Sequence, residues 1–231
     1  MRRLALSLLI SGILSPLIRP DVVPQQLTVQ QVLAQMEVRG QARSALLAHY
    51  VCLRRYALTN RRFHKSAELS VRMTYTDPGH KTFEVLSERG VSIIRQRVLR
   101  RMLEAEEEAS RDGIRENAQI TPRNYDFHLA GSEMQQGRPA YVLEVNPKTV
   151  NKFTIRGRIW VDCEDFAIVR VDAAPALAPS AWIHNIHVVQ QYAKVGPVWL
   201  PLYNHSMSDS FFFGHTDVAI DSSDYQITEK R

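Results

Sequence analysis

Apolar residues recur at every second position through most of the chain, a period that predicts β-strands. The clearest stretch runs from Gly157 to Asp162 and from Phe166 to Val171, two β-rich runs joined by the acidic turn Cys163-Glu164-Asp165. Similar runs cover 47–56, 67–75, 82–86, 92–98, 125–129, 140–145, 182–193 and 198–203. Between them lie turn signals: Asp77-Pro78-Gly79, Gln136-Gly137-Arg138 and Gly196-Pro197. Within the strands, Phe83 and Val85 share one face, as do Tyr125, Phe127 and Leu129. Ile155, Ile159 and Val161 point one way and Trp160 the other, with Arg158 and Asp162.

In two places the period lengthens to that of a helix. Thr28 and Gln31 form a capping box ahead of Val29, Val32, Leu33 and Met36, which predicts an amphipathic helix over 28–38 ending near Gly40. A second helix is expected over 98–112, with Val98, Leu99, Met102 and Ala105 as its apolar positions and Gly113 beyond its end. Its glutamate run, Glu106 to Glu108, is expected to face water, because successive residues point in different directions around a helix.

About ten antiparallel strands in a chain this short need closing or covering, since an open sheet leaves raw edges and one apolar face. The expected fold is α+β and mainly β: a curved, half-open antiparallel barrel covered by the N-terminal helix and an inserted lid helix. Barrels of this strand number leave room for a ligand inside. The candidate cavity residues are Phe83, Val85, Tyr125, Phe127, Leu129, Ile155, Ile159, Val161 and Trp199, with Val32, Met36, Leu99 and Met102 on the lids. Phe211, Phe212 and Phe213 form a further candidate contact for ligand or membrane, because three successive aromatics in a strand cannot all enter one core.

The N-terminus adds a destination. Arg2 and Arg3 precede an apolar run, so residues 1–18 have the layout of a signal peptide. Pro16 follows the best cleavage position, which leaves both a cleaved signal and an uncleaved anchor open. Residues 19–26, with Pro20 and Pro24, are expected to be a linker, and 27–231 a single domain. In an oxidising compartment Cys52 and Cys163 could form a disulfide or stay as separate thiols, and sequence leaves both open.

Among 231 residues the net charge is +5, which favours acidic partners or an anionic membrane surface. No nucleic-acid module accompanies the arginines, so nucleic acid is not an expected partner. Sequence offers no phosphate-binding glycine loop, no strained nucleophile elbow around a serine and no metal-ligand spacing. His184 and His187, the nearest histidine pair, should lie on opposite faces of a strand. No enzyme activity, metal or cofactor is expected.

The signal segment, N-terminal amphipathic helix, meander, inserted helix, hairpin 157–171 and late strand Val198-Trp199-Leu200-Pro201 together resemble a known family. It is the periplasmic lipoprotein-carrier superfamily of LolA and LolB, with the regulator RseB as a relative. The resemblance covers about residues 27 to 228 and rests on diffuse strand patterns. It implies a periplasmic, non-enzymatic carrier whose barrel takes up lipid or lipoprotein acyl chains, with a membrane-bound donor or acceptor protein as partner. The family's gating arginine has no single counterpart, since Arg54, Arg55 and Arg72 all qualify. An RseB-like alternative implies an envelope sensor whose barrel binds a protein.

Overall fold

The structure, a computed structural model, describes residues 27–178 and 181–230; the expected signal or anchor (1–18) and linker (19–26) lie outside them. Ten strands form one antiparallel sheet in the order β3-β2-β1-β10-β9-β8-β7-β6-β5-β4. They are β1 (Leu47–Asn60), β2 (Lys65–Thr76), β3 (His80–Gly90), β4 (Tyr125–Gln135), β5 (Arg138–Pro147), β6 (Ile155–Asp162), β7 (Ile168–Pro175), β8 (Ile183–Val195), β9 (Val198–Ser210) and β10 (Gly214–Glu229). The order never closes on itself. β3 and β4 are free edges, and the barrel is half-open as the strand count predicts.

That order dictates the lid. β3 and β4 are consecutive strands at opposite edges, so the chain joining them must cross the open side of the sheet. It does so as α2 (Ser92–Ile94), a π-helical turn (Arg95–Leu99), α3 (Arg100–Ala109) and α4 (Asp112–Ala118). Gly90 starts the crossing at φ 80, a left-handed conformation, where a Cβ would come 2.3 Å from the Ser66 carbonyl oxygen. The expected strand over 92–98 is therefore helical, and Val98 is exposed. Apolar residues in short runs fit either period, and here the span between edges decides.

Helix α1 (Val29–Leu46) begins with the predicted capping box, in which Thr28 Oγ1 accepts from the Gln31 N–H at 3.3 Å. It continues past Gly40 and runs directly into β1. Gly40 has no left-handed backbone, so it ends nothing. Below α1, Val32 packs on Tyr125, Leu143, Val145, Ile159 and Val161 of the inner face. Trp160 packs outside with Ala140, Val142 and Val169, so the β5–β7 region is apolar on both sides.

Sequence patterning missed β10, whose polar residues blur its alternation; it pairs with both β1 and β9 and joins the two halves of the sheet. Phe211, Phe212 and Phe213 form the β9–β10 turn rather than a strand, and all three are exposed.

Candidate functional site

The inner face divides into two zones, each under its own helix. Beneath α1 the wall is aromatic and aliphatic: Tyr125, Tyr141, Leu143, Ile159, Val161 and Val171 are buried, with Phe127, Leu129 and Ile155 packed against them. Beside this wall a cavity of ≈ 630 Å³ opens between α1, the loop from α4 to β4 and the turn from β6 to β7. Leu33, Met36, Ile120, Phe166, Ile168, Tyr192 and Trp199 supply apolar lining, and Glu37, Arg43 and Arg123 stand among them. Arg43 of α1 donates to the Asp165 carbonyl at 2.5 Å and the Phe166 carbonyl at 3.2 Å, tying the helix to the turn. Burial lowers its pKa, and the Asp165 carboxylate opposes that shift. Trp199 closes one side, with its indole N–H donating to Asp165 Oδ2 at 2.9 Å.

Beneath α3 the contacts combine apolar packing with a charge cluster. Leu99 and Leu103 pack on Tyr56, Leu69, Val71, Phe83 and Val85. Glu106 then turns inward and accepts from Arg54 Nη1 and Lys81 Nζ, both at 2.7 Å, and from the Tyr56 hydroxyl at 3.1 Å. Arg54, on β1, has a side chain only 4% exposed. Burial alone would raise the Glu106 pKa, but the Lys81 and Arg54 charges outweigh it and hold the carboxyl at about 2. Burial likewise opposes the charge on Arg54, and Glu106 reverses that and raises its pKa. This corrects the expectation of a fully solvated glutamate run: Glu104 and Glu107 face water, whereas Glu106 falls on the inward side. Arg55 and Arg72 instead form exposed pairs with Glu68 and Glu84.

Tyr192 of β8 belongs to the α1 side. It lines the cavity, burial raises its hydroxyl pKa, and it feels the charges of both Arg54 and Glu106.

The predicted residues are distributed across both zones. Met36 and Trp199 border the cavity. Val32 of α1 packs on the wall formed by Tyr125, Phe127, Leu129, Ile155, Ile159 and Val161, while Leu99 and Met102 of the helical crossing pack on Phe83 and Val85. Sequence reasoning did not single out Ile120, Phe166, Ile168 or Tyr192, because turns and neighbouring strands bring them together only in three dimensions. Cys52 and Cys163 are free thiols in separate surroundings, the first on the inner face of β1 and the second in the β6–β7 turn, so no disulfide joins them.

A bulge in β8 revises the histidine reading. His184 pairs with Asp209 and His187 with Met207, positions two apart on β9, so both histidines share a face. Between them Asn185 adopts φ 50, and the additional residue reverses the alternation. Neither joins a group of three metal-ligating side chains among the described residues.

No protein-family description matches the chain, and no curated protein does. Solved structures do. A LolA superfamily protein from Nitrosomonas europaea is 10% identical at a TM-score of 0.46, covering 89% of this chain and 96% of that one. A putative outer membrane lipoprotein-sorting protein domain from Vibrio parahaemolyticus is 12% identical at 0.44, covering 87% and 94%. The MucA/MucB complex of Pseudomonas aeruginosa matches at 10% identity and 0.29, covering 86% and 94%. These are likenesses of strand arrangement at low identity, and none assigns a ligand to this chain.

Proposed function

We propose that this protein is an exported, non-enzymatic carrier that takes the acyl chains of a lipid or lipoprotein into the space beneath α1 and releases them to a membrane-bound acceptor. The observation that carries the reading is the ≈ 630 Å³ cavity, walled by apolar side chains and bearing Arg43 and Arg123. Apolar walls with a few polar groups are what an amphiphile requires, and a cavity of this size lies in the range that holds small ligands. Affinity comes from removing acyl surface from water, roughly 25 cal/mol per Å² before ordering costs.

The second zone supplies a closure. α3 is fixed to the sheet by Glu106, which accepts from Arg54 and Lys81. Opening the lid separates Glu106 from Arg54 and Lys81 and exposes Leu99 and Leu103 to cargo or to an acceptor, so release is coupled to breaking a partly buried ion cluster.

The test is native mass spectrometry of the protein purified from the bacterial envelope, followed by titration of the lipid-free form with a fluorescent fatty acid. Co-purified acylated species and saturable uptake are expected. Met36→Glu, a charge on a half-buried helix position, should weaken uptake at least tenfold in a folded protein. A lipid-free mass together with absent uptake overturns the reading, as does wild-type uptake by folded Met36→Glu.

A further inference from the structure

Three turns far apart in sequence meet at one end of the sheet and present five large aromatics to solvent. Phe211 is 68% exposed, Phe212 57%, Phe213 62%, Trp182 58% and Phe63 49%. They form one built patch. The Phe211 N–H donates to the Trp182 carbonyl at 3.3 Å, and the Trp182 and Phe212 rings lie 5.2 Å apart. Asn60, itself buried, donates to the Phe213 carbonyl at 2.7 Å and accepts from the Phe63 N–H at 3.0 Å, locking the β1–β2 turn to the β9–β10 turn. Arg62 donates to the Phe211 and Phe212 carbonyls at 3.3 and 3.4 Å. Exposed apolar surface of this kind costs free energy in water and is held in place here by specific hydrogen bonds.

Charge identifies the occupant. Arg62 and Lys65 border the aromatics and have no carboxylate partner among the described residues, whereas Arg61 is paired with Asp217 at 2.8 Å. Asp209, the other nearby carboxylate, is engaged by His215 at 3.0 Å and Asn185 at 3.1 Å. Aromatic rings flanked by uncompensated cations match the interfacial zone of an anionic bilayer, where rings sit at headgroup depth and each basic residue near the surface adds attraction. The lid starts beside this patch, since the Val91 N–H donates to the Ser66 carbonyl at 3.1 Å.

We propose that the aromatic end of the sheet docks the protein on an anionic phospholipid surface through Phe63, Trp182 and Phe211 to Phe213, with Arg62 and Lys65 supplying the electrostatic contact. This docking goes beyond the carrier reading and does not depend on what fills the cavity.

The test is flotation of the full chain with vesicles of phosphatidylglycerol and phosphatidylcholine, or of phosphatidylcholine alone, with the recovered protein also assayed for extracted lipid. Wild type should float with the anionic vesicles. The triple variant Phe211→Ser, Phe212→Ser, Phe213→Ser should partition at least tenfold less. Arg62→Glu with Lys65→Glu should lose at least threefold on anionic vesicles only. Circular dichroism checks the fold of each variant. Wild type that stays off anionic vesicles, or a folded triple variant that floats as wild type does, overturns the proposal. A concentration-dependent dimer that the triple variant abolishes, without vesicle binding, assigns the patch to a second copy of the chain and overturns it too. Flotation without extracted lipid leaves docking standing and counts against the carrier reading alone.

Discussion

The two lids close the same sheet by different physics. α1 lies over an apolar wall and is fastened by Val32 and by Arg43 reaching two carbonyls, while α3 adds a charge cluster to its apolar contacts. Apolar contact is non-directional and tolerates sliding, so a cavity can persist beneath α1. The ion cluster is directional, and Arg54, its most buried member, would be left without a carboxylate if it were separated. Under the carrier reading proposed above, the α1 side would be the one to hold cargo and the α3 side the one to close.

The sharpest way to break that contrast is Glu106→Ala, which leaves Arg54 and Lys81 without their carboxylate. A loss of about 3 to 5 kcal/mol is expected in urea unfolding. Replacing both Arg54 and Glu106 by methionine should recover much of that stability while leaving a lid that no longer responds to charge. Under α1, Leu143→Ala should cost about 2 to 5 kcal/mol by leaving a void, with no change in the pH dependence of stability.

pH separates the zones further. The Glu106 pKa is depressed from 4.5 to about 2. Its contribution is therefore fully present above about 4.5 and is lost as pH falls toward about 2. Glu106→Gln should remove this part of the acid dependence, and unfolding series at several pH values between neutral and 3 check it. Trp199→Phe removes the hydrogen bond to Asp165 at the cavity edge and should cost about 1 kcal/mol. The smallest effect is expected from Arg61→Ala, whose exposed pairing with Asp217 should be worth less than about 1 kcal/mol in the same assay.

Much of the scaffold was legible. Alternation marks most strands, including both arms of the β6–β7 hairpin, and the Thr28 capping box places the start of α1. Where the reading failed, a local signal was ambiguous. Residues 92–98 are apolar enough for either period, Gly40 resembles a stop without the backbone of one, and the β8 bulge at Asn185 reverses every later face. The site was less legible than the scaffold, because its residues are adjacent only through the sheet. Tyr192 neighbours Phe166 and Met36 around the cavity, although no sequence spacing relates them. Glu106 looks like its neighbours in the glutamate run, and only the path of α3 across the sheet selects it.

By itself the sequence determined that most segments carry the β period and pointed to a mainly β shell with helical covers, since burial of alternate positions is a local property of the chain. Tertiary structure decided which edge strands stay unpaired, which glutamate meets Arg54, where the cavity opens and that three distant turns share an aromatic end. Those outcomes follow from strand order and register, set by the sum of many long-range contacts.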